Sequence, residues 1–90
     1  MLRNSNQPLI SAVIPAFNEE KEIRGSLQAI GQKLNNLQVD YEIIAVNDGS
    51  RDQTLARMQA CAGGRIKVLS HSPNRGKGFA VREGMLKAQG

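Results

Sequence analysis

Tyr41–Thr54, YEIIAVNDGSRDQT, is the stretch that decides the fold. The β-forming residues Tyr41, Ile43, Ile44 and Val46 run straight into Asn47-Asp48-Gly49-Ser50, and a polar, helix-starting segment follows at once. A strand that breaks into a loop and then a helix is the βα unit of an open α/β sheet. In such sheets ligands bind at the carboxyl ends of the strands, so position alone makes Asp48 a site candidate. Gly49 suits a tight turn or the close approach of a ligand. An Asx-turn acceptor would explain Asp48 equally well without any ligand.

Upstream, Leu9 to Phe17 (LISAVIPAF) is a continuous apolar run, as a strand covered on both faces requires. Pro15 has no N–H for a ladder, which predicts that the strand finishes near Ile14. Asn18 reads as an N-cap, with Glu19 and Glu20 in the first turn of a helix. Ile23, Leu27, Ile30, Leu34 and Leu37 recur at steps of four and three, which predicts one apolar face on a helix from about Glu19 to Leu37. Downstream, Ser50 and Gln53 have capping-box spacing for a second helix. Leu55, Met58 and Ala62 are its expected inner face, and Gly63-Gly64 its terminator. Ile66 to Ser70 reads as a third strand. His71 to Gly78 (HSPNRGKG) reads as a loop, and a third helix from near Lys77 is expected to carry Phe79, Val81, Met85 and Leu86 toward the core.

The element order is therefore βαβαβα, an α/β fold in three layers with a parallel sheet. Right-handed crossovers between neighbouring strands predict the spatial order 3-2-1. That topology brings three loops to one edge: Pro15 to Glu20, Asn47 to Asp52, and His71 to Gly78. Glu19 reads either as a dipole partner or as a reactive carboxylate. Arg75, Lys77 and two glycines at a helix start suit an anion or a phosphate, although solvated cations on a Gly-rich loop would look the same. His71 reads as structural or solvated. Carboxylates from two loops and cations from a third match a ligand with N–H or hydroxyl donors at one end and phosphates at the other, which describes a nucleotide.

Composition bounds what else the chain can be. Ninety residues allow one small domain, residues 9–90, after a polar tail over residues 1–8. Twelve Lys and Arg against eight Asp and Glu give +4, ordinary surface charge or an attraction for an anionic ligand. The cations cluster in one loop and only two Phe and one Tyr are present, which argues against nucleic acid as a partner. One cysteine, Cys61, suits a reducing compartment and so a cytoplasmic location. Residues 1–8 lack the apolar core of a signal peptide, and no apolar run approaches membrane-spanning length. Asp48 and Asp52 are too loosely spaced for a metal pair.

VIPAFNEE (Val13 to Glu20), YEIIAVNDGSRDQT (Tyr41 to Thr54) and NRGKGFAVREGMLKAQG (Asn74 to Gly90) together resemble the start of a glycosyltransferase family 2 catalytic domain, with its GT-A fold. The flavour is that of the dolichyl- or polyprenyl-phosphate sugar transferases, particularly the dolichyl-phosphate glucosyltransferase type. The resemblance implies an incomplete GT-A half that holds the nucleotide of a UDP- or GDP-sugar. Pro15, Phe17 and Glu19 would lie along base and ribose. Val46 and Asp48 would contact the base, and Lys77 and Gly78 would sit beside the nucleotide. Phe17 stands where the family often has Tyr, and Asn47 replaces the first of two common Asp residues.

The same resemblance implies inverting sugar transfer to a lipid phosphate or a glycan in glycan biosynthesis, at the cytoplasmic face of a membrane. Mg or Mn would serve the full-length enzyme, bound at an Asp-X-Asp motif that this sequence lacks. The chain therefore reads as an N-terminal fragment without catalytic residues, inactive alone, with a non-catalytic nucleotide-binding module as the alternative. A fourth strand would pair beside the first, so the first strand is expected to form an open edge prone to self-association.

Overall fold

The computed structural model describes residues 9–90, with the side chain of Leu9 left aside; the polar tail over residues 1–8 lies outside the described residues. Six elements follow one another: β1 (Leu9–Ala16), α1 (Ile23–Asn36), β2 (Asp40–Asp48), α2 (Thr54–Cys61), β3 (Ile66–His71) and α3 (Lys77–Lys87). The sheet is parallel throughout, in the order β1-β2-β3. The expected 3-2-1 arrangement is the one found.

β2 is central, and every residue from Tyr41 to Asp48 is buried. Its period-two alternation divides the core. Tyr41, Ile43 and Ala45 face α1 and α2, where Ile23, Leu27 and Met58 meet them, with Ala12, Ile14, Ile66 and Val68 completing the layer. Ile44 and Val46 face α3 and pack on Ala80, with Val13 and Leu69 beside them. Each fully buried Ile, Leu or Val contributes about 1.5–3 kcal/mol of burial. Two apolar faces on one strand explain why the run shows no polar alternation.

Several boundaries depart from the sequence pattern, each for a local reason. β1 continues through Pro15 to Ala16, pairing Pro15 with Val46 and Ala16 with Asn47. Among the described strands β1 lies at an edge, where a missing N–H is tolerated. α1 begins at Ile23, not Glu19, and is preceded by a single turn in which the Glu22 and Ile23 N–H groups donate to the Glu19 carbonyl. The Asn18 N–H donates to Ser50 Oγ at 2.9 Å, that of Glu19 to Thr54 Oγ1 at 2.8 Å, and that of Glu20 to Asp52 Oδ2 at 3.3 Å. Asn18 is no helix cap. It adopts a left-handed conformation (φ 53°), and its side chain accepts the Arg51 N–H at 2.8 Å.

The capping box is likewise absent, since Ser50 is engaged with Asn18 and α2 starts only at Thr54. Asp52, two residues before the helix, instead accepts the Thr54 N–H at 2.9 Å and the Thr54 hydroxyl. The buried residues of α2 are Thr54 and Met58, with Cys61 half-buried beside them, while Ala62 is exposed. Leu37, expected on the inner stripe of α1, lies at its C-cap and is 64% exposed.

The largest departure is α3. Phe79, Met85 and Leu86 point outward, at 37%, 65% and 75% exposure, and the buried residues are Ala80 and Gly84. The cause is proximity to the sheet: a Cβ built on Gly84 would lie 2.3 Å from Val13 Cγ1. A helix seated that close admits only small residues on its inner face. After α3 the chain is extended at Ala88 (ψ 143°). The Gln89 N–H then reaches Glu42 Oε2 at 2.6 Å, and the Gly90 N–H reaches Ser11 Oγ at 2.9 Å.

Candidate functional site

The carboxyl edge of the sheet carries three loops, and backbone contacts bring the second and third unusually close. A Cβ on Gly49 would lie 2.3 Å from the Asn74 nitrogen, and its φ of 68° disfavours any side chain. The close approach that Gly49 permits is therefore by Pro73 and Asn74 of the same chain. Where the loops meet lies a cleft of about 300 Å³ lined by Pro15, Ala16, Phe17, Glu19, Asp48, Asn74 and Lys77.

Five of the residues singled out in the sequence thus meet in one cleft: Pro15, Phe17, Glu19, Asp48 and Lys77. Val46 and Gly78 do not line it. Val46 is fully buried against α3, and Gly78, the second residue of α3, is exposed. Phe17, Glu19, Asn74 and Lys77 are the exposed members of the lining, so they are what a ligand meets first. Phe17, 44% exposed, offers an aromatic face for stacking. Lys77 opens α3 and adds a cation to the positive end of that helix.

Asp48 is the most heavily engaged group at this edge. Its carboxylate accepts the Arg75 N–H at 2.8 Å, the Gly76 N–H at 2.9 Å and the Asn74 side-chain amide at 3.0 Å, and it pairs with His71 Nε2. Burial by itself would raise this carboxyl. The Arg75 N–H, the His71 ring and the Gly76 N–H outweigh it, and the group is held below the ordinary aspartate range. The anion expected at the Gly-rich loop is thus present within the fold, because Asp48 occupies the two backbone donors that precede α3. Lys77 and Asn74 are left as the polar groups that the loop offers the cleft.

Two neighbours of Asp48 shape the turn. Asn47 Oδ1 accepts the Ser50 N–H at 3.3 Å, and its amide donates to Ser70 Oγ at 3.0 Å. His71, read from the sequence as structural or solvated, lies between Asp48 and Glu83 with its side chain only 12% exposed. Besides Ala16, Asn74 is the lining residue not singled out as a site residue, although it opens the NRGKG stretch. Its place directly before Arg75-Gly76 was the available signal, and its partner Asp48 lies 26 residues upstream.

A parallel sheet whose carboxyl edge gathers an aromatic face, an amide, a carboxylate and a lysine in one cleft is an open α/β architecture with its candidate ligand site at the strand ends. Residues 11–90 match the model of glycosyl transferase family 2, and the chain belongs to that family. Its three parallel strands with helices on both faces form a partial GT-A fold. Relatives include an uncharacterized glycosyltransferase of Synechocystis, 40% identical over 83 residues, covering 90% of this chain and 26% of the relative. A putative glycosyltransferase of Bacillus subtilis is 37% identical over 86 residues, covering 93% of this chain and 26% of its own length. A dolichyl-phosphate beta-glucosyltransferase of Drosophila melanogaster is 37% identical over 98 residues, covering 99% and 30%. The chain therefore spans little more than a quarter of the length of these relatives.

Proposed function

We propose that this chain supplies the nucleotide-binding part of a glycosyltransferase that uses a UDP- or GDP-sugar. The observation that carries the reading is the cleft shared by all three loops, with Phe17 at one side and Lys77 at another. Phe17 stacks on the base. Glu19 accepts from ribose hydroxyls, and Lys77 offsets the charge of the diphosphate. Asp48 contributes through the geometry of Asn74 and through what remains accessible of its own oxygens.

The acceptor in the complete enzyme is a polyprenyl or dolichyl phosphate or a glycan, with inversion at the sugar carbon. Similarity to a dolichyl-phosphate beta-glucosyltransferase supports the lipid phosphate. Mg or Mn belongs to this reading of the complete enzyme. The described residues gather no set of three or more His, Cys, Asp and Glu side chains able to hold a metal, so no step is assigned to one here. Location at the cytoplasmic face of a membrane is part of the same proposal; among the described residues no helix is long and apolar enough to cross a membrane.

Titration of the chain with UDP, GDP and their sugars, followed by calorimetry or amide chemical shifts, tests the reading. Binding without added metal is expected, with affinity reduced about tenfold by Phe17→Ala and by Lys77→Ala, equivalent to the loss of about 1.4 kcal/mol each. No binding by any of the four ligands at millimolar concentration would sink it.

A further inference from the structure

We propose that His71 is a positioning residue whose protonated ring, clamped between Asp48 and Glu83, fixes the β3–α3 loop and makes ligand affinity in the cleft fall as pH rises. The ring joins three elements. His71 is the last residue of β3 and the register partner of Asp48 at the end of β2. Its Nε2 pairs with Asp48 Oδ1, and its Nδ1 lies against Glu83 Oε1 of α3. The side chains of Asp48 and Glu83 are 3% and 37% exposed. The Phe79 ring packs edge-on against the imidazole at 5.1 Å, and the Arg75 guanidinium lies over Phe79 at 5.1 Å.

A neutral imidazole carries one N–H and one lone pair, whereas the imidazolium carries two N–H groups. Between two carboxylates, the neutral ring must turn a lone pair toward one of them. Only the cation offers each a favourable partner. Nδ1 is buried and has no hydrogen bond of good direction, so its tie to Glu83 is one of charge. That is the contact a proton controls. The groups that face the ring are Asp48 from β2 and Glu83 and Phe79 from α3, with Arg75 from the loop behind Phe79.

The consequence reaches the cleft through Asp48. The same carboxylate that holds His71 also holds the Arg75 and Gly76 N–H groups and the amide of Asn74, and Asn74 and Lys77 line the cleft. Loss of the ring's proton places a lone pair against a carboxylate and leaves two negative charges near an anionic ligand without an offset. Both effects have one sign: affinity is full below the titration of the ring and lower above it. The ligand half of this inference rests on the nucleotide reading, and the clamp itself does not.

The chain contains a single histidine, so its ring resonances are unambiguous. The test follows the ring and the Arg75 and Gly76 amide shifts against pH in the unliganded chain, and measures UDP affinity over the same range. In the wild-type chain the two amides are expected to move with the ring, and UDP affinity to fall severalfold across that titration. His71→Gln keeps a donor for Asp48 without titrating, and is expected to give a flat affinity profile. Glu83→Gln is expected to shrink the amide response. A ring that titrates while both amides stay still, or a His71→Gln profile as steep as wild type, overturns the proposal. Absence of UDP binding at every pH defeats the nucleotide reading instead, and the amide titration then decides the clamp.

Discussion

Asp48 organises its surroundings as an acceptor for its own chain. Two backbone donors, an amide and an imidazole converge on it. Asp48→Asn keeps the shape but turns an NH₂ toward one of those donors. A buried donor left unpaired costs about 1–3 kcal/mol, so a loss of that order in urea unfolding is expected, and a wild-type midpoint would contradict the network. Gly49 makes a second prediction. An alanine there meets the Asn74 nitrogen at 2.3 Å in a left-handed conformation, so Gly49→Ala should destabilise the fold and open the cleft together. Unchanged stability with unchanged nucleotide affinity would refute that. At this scale the sequence disclosed the acceptor but not its donors. Asp48 was visible as a carboxylate at a strand end, whereas His71, Asn74, Arg75 and Gly76 lie 23 to 28 residues away and reach it only through strand pairing.

Among the elements, the strands were the most legible, because β2 is buried on both faces and reads as one apolar run. Helix boundaries were less so. α1 starts four residues late, after a left-handed Asn18 and a turn closed on the Glu19 carbonyl, while the N–H groups of Asn18, Glu19 and Glu20 bond to another loop, which no local pattern reveals. α3 was placed correctly at Lys77 but faced the wrong way, since its small residues rather than its large ones meet the sheet. This yields a sharp test. Gly84→Ala gains up to about 1 kcal/mol of helix propensity, but it pushes a methyl group to 2.3 Å from Val13. Overpacking of that kind costs about 1–3 kcal/mol, so thermal denaturation should show a net loss. Combining Gly84→Ala with Val13→Ala should recover much of it. A single variant as stable as wild type would show that α3 sits farther from β1.

For the whole molecule, pH is the global variable. Burial alone would raise Glu42, Asp48 and Asp52, yet donors outweigh it in each: the Ser11 hydroxyl and Gln89 N–H for Glu42, the Arg75 N–H and His71 for Asp48, and the Thr54 hydroxyl and N–H for Asp52. Carboxyls held lower in the folded than in the unfolded chain stabilise the fold above the ordinary carboxylate range, and that contribution disappears as pH falls through the lowered values. Denaturation midpoints should therefore drop below about pH 4, and Asp48→Asn should make the drop shallower. β1 has a strand on one side only among the described residues, and Ile10 is 38% exposed. Self-association at micromolar concentration is expected, and a sedimentation profile of a single monomer would rule it out. The overall topology was legible because period and order sufficed; the partners of the cleft residues were not, because they depend on how three loops meet.

The lacing of the first loop to the second has a consequence for how the chain exchanges hydrogen with water. Asn18, Glu19 and Glu20 belong to no helix or strand, yet each of their amides is held by a side chain more than thirty residues away. Such amides should exchange slowly, as sheet amides do, and Ser50→Ala or Thr54→Val should release Asn18 or Glu19 selectively. The division of labour is uneven. Glu19 and Glu20 lend only backbone, which nearly any residue provides, whereas Asn18 also lends its side chain to the Arg51 N–H, and Ser50, Asp52 and Thr54 must be the residues they are. Substitution should therefore be freer at Glu19 and Glu20, as far as these contacts go, than at left-handed Asn18 or in the turn that follows β2.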